Sequence, residues 1–235
     1  MDLKLITILS RPADLNALPA GKLLINTINA HSYNMAQKDA LFAEALTKGD
    51  VLIPDGASIV KAVKWLKGET IERVAGWDLF MFEMDKLNKT GGTCFFLGSS
   101  EKVLELIKNK AAEDFENIQI ATYSPPYKSE FTEEENMAMI NAVNAAHPNL
   151  LWIGMTAPKQ EKWAYTHWNE LNINCHTGTI GAVFDFYAGT VQRAPLWWQK
   201  HSLEWLYRLI MEPRRMWKRY LIGNILFLYY MLREK

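Results

Sequence analysis

A single carboxylate stands where chemistry is easiest to place. In VLIPDGASIV, residues 51–60, an apolar run ends at Pro54, and Asp55 follows alone before Gly56. A carboxylate at the end of a buried strand can cap the helix that starts near Ala57 by accepting backbone N–H bonds. It can also take a proton from an attacking hydroxyl. The spacing leaves both roles open, and they are compatible. Thr27 and Asn29 are two apart, so in extended chain they share a face and either bond a sugar or shape a turn. Arg73, in IERVAG, is either a surface ion-pair partner or a fixed guanidinium that grips a diphosphate from two nitrogens. Gly98-Ser99-Ser100 precedes a helix beginning near Glu101, whose free N–H groups either cradle a phosphate or close a plain capped turn.

Several chemistries lack their residues. No GxGxxG follows any strand, which removes the main support for a dinucleotide-dependent oxidoreductase, and there is no GxxxxGK[ST]. An Asp-x-Asp pair, the usual carboxylate cage for a nucleotide-bound divalent metal, is missing, and the five histidines show no ligand spacing. The expectation is a site without metal or cofactor. Cys94 and Cys175 lie apart in apolar runs, so no disulfide framework is expected and a reducing cytosol fits. The five-residue apolar run before Arg11-Pro12 is too short for a secretory signal.

These residues need a scaffold. Apolar runs at 22–26, 51–53, 93–98, 118–123, 149–155 and 173–178 read as strands, and the stretches between them carry helical spacing: 34–48, 57–67, 77–89, 101–115, 133–147 and 159–171. Strands this apolar are buried on both faces, as in a mainly parallel sheet wrapped by helices. The predicted fold is therefore α/β, Rossmann-like in the broad sense, with a basic, aromatic-rich C-terminal helical appendage. In such sheets ligands bind beyond the carboxyl ends of the strands. Thr27, Asn29, Asp55 and Gly98 all belong to that edge, with Gln160 and Asp185 following the fifth and sixth strands.

A domain boundary is placed between residues 192 and 193, giving an α/β body (1–192) and an appendage (193–235). The net charge of zero hides an asymmetry: residues 193–235 hold nine Lys/Arg against three acids, so the tail is strongly basic and the body equally acidic. Residues 220–232 are mostly apolar but too short to span a bilayer. Cations beside Trp197, Trp198, Trp205 and Trp217 suit a segment lying on an anionic membrane surface, with a packed helix or a dimer interface as the alternatives. No nucleic-acid motif accompanies them. Oligomeric state is not legible in the sequence.

Taken in order, INTINAHSYNMA, IPDGASIV, ERVAGWDLF, IGMTAPKQEKW, GAVFDFYAGTVQRAP and LEWLYRLIMEPRRMWKRYL resemble the WecG/TagA/CpsF family, glycosyltransferase family 26, over residues 22–222. The resemblance implies an inverting, metal-independent transfer of a sugar, often N-acetylmannosamine, from a UDP donor to N-acetylglucosamine on undecaprenyl diphosphate. The setting it implies is bacterial surface-polysaccharide or teichoic acid synthesis at the cytoplasmic face of the plasma membrane. It casts Asp55 as catalytic base and Thr27 and Asn29 as its active-site partners. Arg73 and Gln160 become donor-site contacts, and Asp185 a residue of the nucleotide pocket. Arg208, Arg214 and Arg215 complete the site when the tail folds over it. A non-catalytic membrane-associated assembly protein with the same fold is the alternative; it would not need Asp55, Arg73 and Gln160 together.

Overall fold

The computed structural model describes residues 1–235. Six strands form one sheet: β1 (Leu23–Ile28), β2 (Val51–Pro54), β3 (Gly92–Gly98), β4 (Ile118–Tyr123), β5 (Leu150–Gly154) and β6 (His176–Thr179). Their order is β2-β1-β6-β5-β3-β4, and every pairing is parallel. The body helices are α1 (Ala30–Ala36), α2 (Ala40–Lys48), α3 (Ala57–Lys67), α4 (Gly76–Thr90), α5 (Glu101–Asp114), α6 (Glu133–Ala146), α7 (Lys159–Thr166) and α8 (Gly181–Tyr187). The tail adds α9 (Leu196–Lys200), α10 (Glu204–Met211), α11 (Pro213–Trp217), a π-helical turn (Lys218–Ile222) and α12 (Gly223–Glu234).

Alternation along the central strands explains their apolar sequences. Phe96 and Trp152 pack on one face with Phe80 and Phe184, while Phe95, Leu97, Leu151 and Ile153 pack on the other with Trp163. Both faces are covered, so both parities of β3 and β5 are hydrophobic. Two expected helices differ from the spacing. The stretch 34–48 divides because Asp39 accepts from Phe42 N at 3.0 Å and starts α2 as a new helix. The stretch 159–171 ends early: α7 stops at Thr166, and Lys22 Nζ holds the following turn by donating to Trp168 O and Leu171 O at 2.6 Å. The sixth strand begins at His176 rather than 173, where it meets Leu23 in register.

The tail does not stand apart from the body. Phe227 and Met231 of α12 are buried in a cluster with Tyr33, Phe42 and Ile59. Asn34 Nδ2 donates to Gly223 O at 2.7 Å, and Glu234 accepts from Leu3 N and from the Tyr33 hydroxyl. The segment 193–235 is thus a helical layer packed on α1, sharing core with the body.

One buried pair makes the fold pH-sensitive. His176 Nδ1 faces Glu83 Oε1 at 2.8 Å, and its Nε2 faces Pro19 O at 2.9 Å. Both partners are acceptors, so the imidazolium satisfies both, and the hydrogen bond to Glu83 raises the His176 pKa. Stability from a raised histidine is fully present below the unfolded value of about 6.5 and is lost as pH rises through the folded value. Urea unfolding should therefore show stability declining above about pH 6.5. The variant Glu83→Gln should flatten that slope and, by breaking a buried pair, cost about 3–5 kcal/mol below it.

Candidate active site

Because all strands run the same way, the turns after them open on one edge, and a cavity of about 2030 Å³ lies there between body and tail. Thr27, Asn29, Asp55, Arg73, Gln160 and Asp185 all line it, as do Arg208 and Arg215 from the tail. Gly98 and Arg214 lie outside it. Gly98 has φ +120, and a Cβ there would come within 2.4 Å of Gly154 O. Its absence of a side chain serves the approach of β3 to β5, and the next residues, Ser99 and Ser100, are the ones that reach the cavity. Arg214 is exposed on α11, whereas Arg219, which the sequence analysis did not single out, takes a place in the wall.

Asp55 is held by its neighbours' backbones. Ile28 and Pro54 are in register, so the turns after β1 and β2 lie side by side. Asp55 N donates to Ile28 O at 2.9 Å. Its side chain caps nothing on α3, whose N-cap is Gly56; instead Oδ1 accepts from Gly76 N, at the start of α4, at 3.4 Å. Val74 N donates to Pro54 O at 3.1 Å, so the loop that carries Arg73 is tied to the turn that carries Asp55. Burial pushes the Asp55 pKa up to about 6, with Arg73 pulling it down and Glu204 and Asp78 opposing that pull. A carboxylate tuned to about 6 is an effective proton acceptor at neutral pH.

Asn29 spends its Oδ1 on capping α1, accepting from His31 N at 3.0 Å and Ser32 N at 3.1 Å. Its Nδ2 makes no hydrogen bond within the protein, and Thr27 stands one residue before Ile28 on the same edge. Gln160 behaves differently from the expected donor contact. It is buried, its Oε1 accepts from Met155 N at 3.1 Å and Gly181 N at 3.2 Å, and its Nε2 donates to Glu161 Oε1 at 2.8 Å. Its amide joins the turn after β5 to the start of α8. Glu161, buried beside it, has its pKa pushed up to about 7 by burial. Asp185, on α8, is raised by burial and accepts from the Thr190 hydroxyl at 3.4 Å; Arg215 and Arg208 act in the opposite sense.

The cation arrangement is the strongest chemical signal. The Nε atoms of Arg208 and Arg219 are buried without any hydrogen-bond partner. Burial lowers the Arg219 pKa, and the charge of Arg208 lowers it further. Nearby His31 is pushed down to about 4, first by burial and then by Arg219, so it is neutral at physiological pH. A buried guanidinium Nε without a hydrogen-bond partner carries a desolvation cost that an anionic ligand would offset. Arg219 was missed because it sits in a run of three cations, RMWKR, and Glu204 because it is a lone acid among aromatic and aliphatic residues, LEWLYR; only the folded tail distinguishes the inward members.

The family model described as the WecG/TagA/CpsF glycosyl transferase family matches residues 9–235. A Bacillus subtilis strain 168 protein named N-acetylglucosaminyldiphosphoundecaprenol N-acetyl-beta-D-mannosaminyltransferase is 30% identical over 198 residues, covering 84% of this chain and 75% of that protein. Proteins of the same name from Bacillus spizizenii W23 and Staphylococcus aureus MW2 are 29% and 27% identical; the alignments cover 79% and 91% of this chain, and 70% and 81% of those proteins.

Substituting Gln160 separates its two readings. Gln160→Ala leaves two backbone N–H groups and Glu161 without their partner, so urea unfolding should register a loss of about 1–3 kcal/mol. A contact made only to a bound donor would leave the stability of the free protein unchanged.

Proposed function

Because the chain belongs to the WecG/TagA/CpsF family of glycosyltransferases, we propose that it moves N-acetylmannosamine from a UDP-linked donor to the N-acetylglucosamine of an undecaprenyl-diphosphate acceptor. The supporting observation is one carboxylate at the sheet edge, its pKa raised by burial, in a cavity whose wall also holds two arginines with buried, unpartnered Nε atoms. Both substrates of that reaction carry diphosphates, and relatives bear a name that specifies this acceptor and this sugar.

In the proposed reaction the acceptor hydroxyl attacks the anomeric carbon of the donor while Asp55 takes its proton. The new glycosidic C–O bond forms as the bond to the diphosphate breaks, and UDP leaves with the electron pair. A single displacement inverts the anomeric centre. Arg208, Arg215 and Arg219 neutralise the diphosphates, a task that donors fixed in a desolvated site perform better than water does. Thr27 and the Asn29 amide hold sugar hydroxyls, and Asp185 borders the nucleotide. Because guanidinium groups carry the charge, no metal is needed. With excess EDTA present throughout, the wild-type protein should turn over UDP-N-acetylmannosamine with a short-chain lipid-diphosphate-GlcNAc analogue. Asp55→Asn should lose about 10²–10⁴-fold in kcat while UDP binding, read by calorimetry, persists. The wild-type kcat/KM should fall on the acid side as pH drops through about 6, where Asp55 takes up its proton. Loss of turnover to EDTA, or an Asp55→Asn rate above half of wild type, contradicts the proposal.

The same reading puts the tail on a membrane. No helix is long and apolar enough to cross one. Most of the exposed large hydrophobics nevertheless lie between Leu196 and Leu232, including Ile225 (71% exposed) and Leu228 (59%). A lipid-linked acceptor lives in the membrane plane, and near-surface cations gain roughly 1 kcal/mol each against anionic lipid. Replacing Ile225 and Leu228 together by Glu should abolish pelleting with anionic liposomes. It should slow turnover of a full-length lipid acceptor at least tenfold while leaving the short-chain analogue within about twofold, because neither side chain is buried in the fold.

A further inference from the structure

Glu204, the first residue of α10, makes a contact that neither the packing of the tail nor the reaction as written requires. Its Oε2 lies 3.2 Å from Arg73 Nη1 and its Oε1 3.9 Å from Arg193 Nε. All three side chains are largely withdrawn from solvent, at 19–24% exposure. Arg73 belongs to the loop that Val74 N fastens to the Asp55 turn. Arg193, at the start of the tail, covers the ring of Trp77 on α4 with its guanidinium 5.3 Å from the ring centre. One tail carboxylate thus joins two cations that would otherwise repel each other at the cavity wall.

We infer that Glu204 is a positioning residue for the proposed transfer: by bridging Arg73 and Arg193 it seats α10 on the cavity rim and fixes the Arg73 guanidinium beside Asp55, so that base and cation are set only when the tail is docked. The inference rests on the proposed glycosyl transfer. It gives Arg73 a role different from direct capture of a diphosphate, since the guanidinium already has a carboxylate partner. It also ties the tail to the base by an ion pair, separately from the apolar seam of α12.

The charges around Asp55 make the coupling measurable. Arg73 faces it from the loop before α4, Asp78 from α4, Glu204 from α10 and Arg219 from the π-helical turn. Glu204 acts to raise Asp55, and it also holds Arg73, which acts to lower it. Neutralising Glu204 removes the raising charge and leaves Arg73 uncompensated. Both changes stabilise the ionised form of Asp55, so its titration moves to lower pH and the carboxylate becomes a weaker base.

The test uses the full chain with carbon-13-labelled aspartate, the Asp55 carboxylate signal being assigned by its loss in Asp55→Asn. In Glu204→Gln the Asp55 midpoint should fall by about half a pH unit or more. The short-chain acceptor reaction at pH 8 should slow about tenfold, the order expected for a misplaced base and cation. Circular dichroism and liposome pelleting should match wild type, because the apolar seam of α12 is untouched. Glu204→Asp, which keeps the charge, should hold the midpoint within about 0.2 units of wild type. A contact that only held the tail would lower the midpoint too, by the same loss of charge, but would leave the rate at pH 8 within about twofold of wild type. An unmoved midpoint or an unslowed rate in Glu204→Gln therefore overturns the inference. Absence of any wild-type turnover overturns the proposed activity instead, and the two failures are read from different signals.

Discussion

The turn that follows β1 and the turn that follows β2 approach so closely that a side chain at position 56 would have to push its neighbour aside. A Cβ on Gly56 would come within 3.1 Å of Asn29 Cβ and 3.3 Å of Asn29 Cα. That close approach puts Asp55, Asn29 and Thr27 on one small patch of the sheet edge. It follows from parallel pairing of β1 and β2, with Ile28 opposite Pro54, and from a residue at position 56 that lets two backbones touch. The remaining elements arrange themselves around this patch: α4 starts at Asp55, the Arg73 loop is sewn to Pro54, and α8 begins where Gln160 holds Gly181.

Electrostatics set the character of the cavity, and they come from two parts of the chain. The body supplies the carboxylates, Asp55 and Asp185, each made harder to ionise by burial. The tail supplies Arg208, Arg215 and Arg219, of which two keep a buried Nε without a partner. An acidic body and a basic tail therefore meet across the site rather than cancelling at the surface. In the proposed transfer the proton acceptor belongs to the sheet edge, while the groups suited to diphosphates belong to a helical layer that carries most of the exposed large hydrophobics. The proposed reaction on a lipid-linked diphosphate at a membrane surface calls for that division of labour, since the tail is then the part nearest both lipid and acceptor.

The sheet was legible because its central strands β3 and β5 are hydrophobic at both parities, and six runs gave six strands, although the part of the last run that pairs, His-Thr-Gly-Thr, is polar. Pairing order was not legible: nothing in the local pattern says that β6 inserts between β1 and β5. Helix spacing failed where a polar residue intervened, as at Asp39, whose side chain stops one helix and caps the next. Asp55 and Asn29 were legible as cavity-lining residues because a residue just after a parallel strand is placed by topology alone; Thr27, near the end of β1, and Asp185, on α8, line the same cavity. Gln160 was found for its position, but its orientation depends on which backbone N–H groups lack an acceptor, Met155 and Gly181 among them, and that is a tertiary fact. The tail arginines show the same limit. The run RRMWKR faces several directions at once: Arg215, Lys218 and Arg219 line the wall while Arg214 is exposed.

The central claim is that one carboxylate, acting opposite a diphosphate held by guanidinium groups, carries the transfer in a single displacement. The anomeric configuration of the product tests it most directly. With a UDP-α-linked N-acetylmannosamine donor and a short-chain lipid-diphosphate-GlcNAc acceptor, proton and carbon NMR of the isolated disaccharide should report the β-linkage alone. An α-linked product would require either two displacements or attack from the face of the leaving group, and would contradict the account.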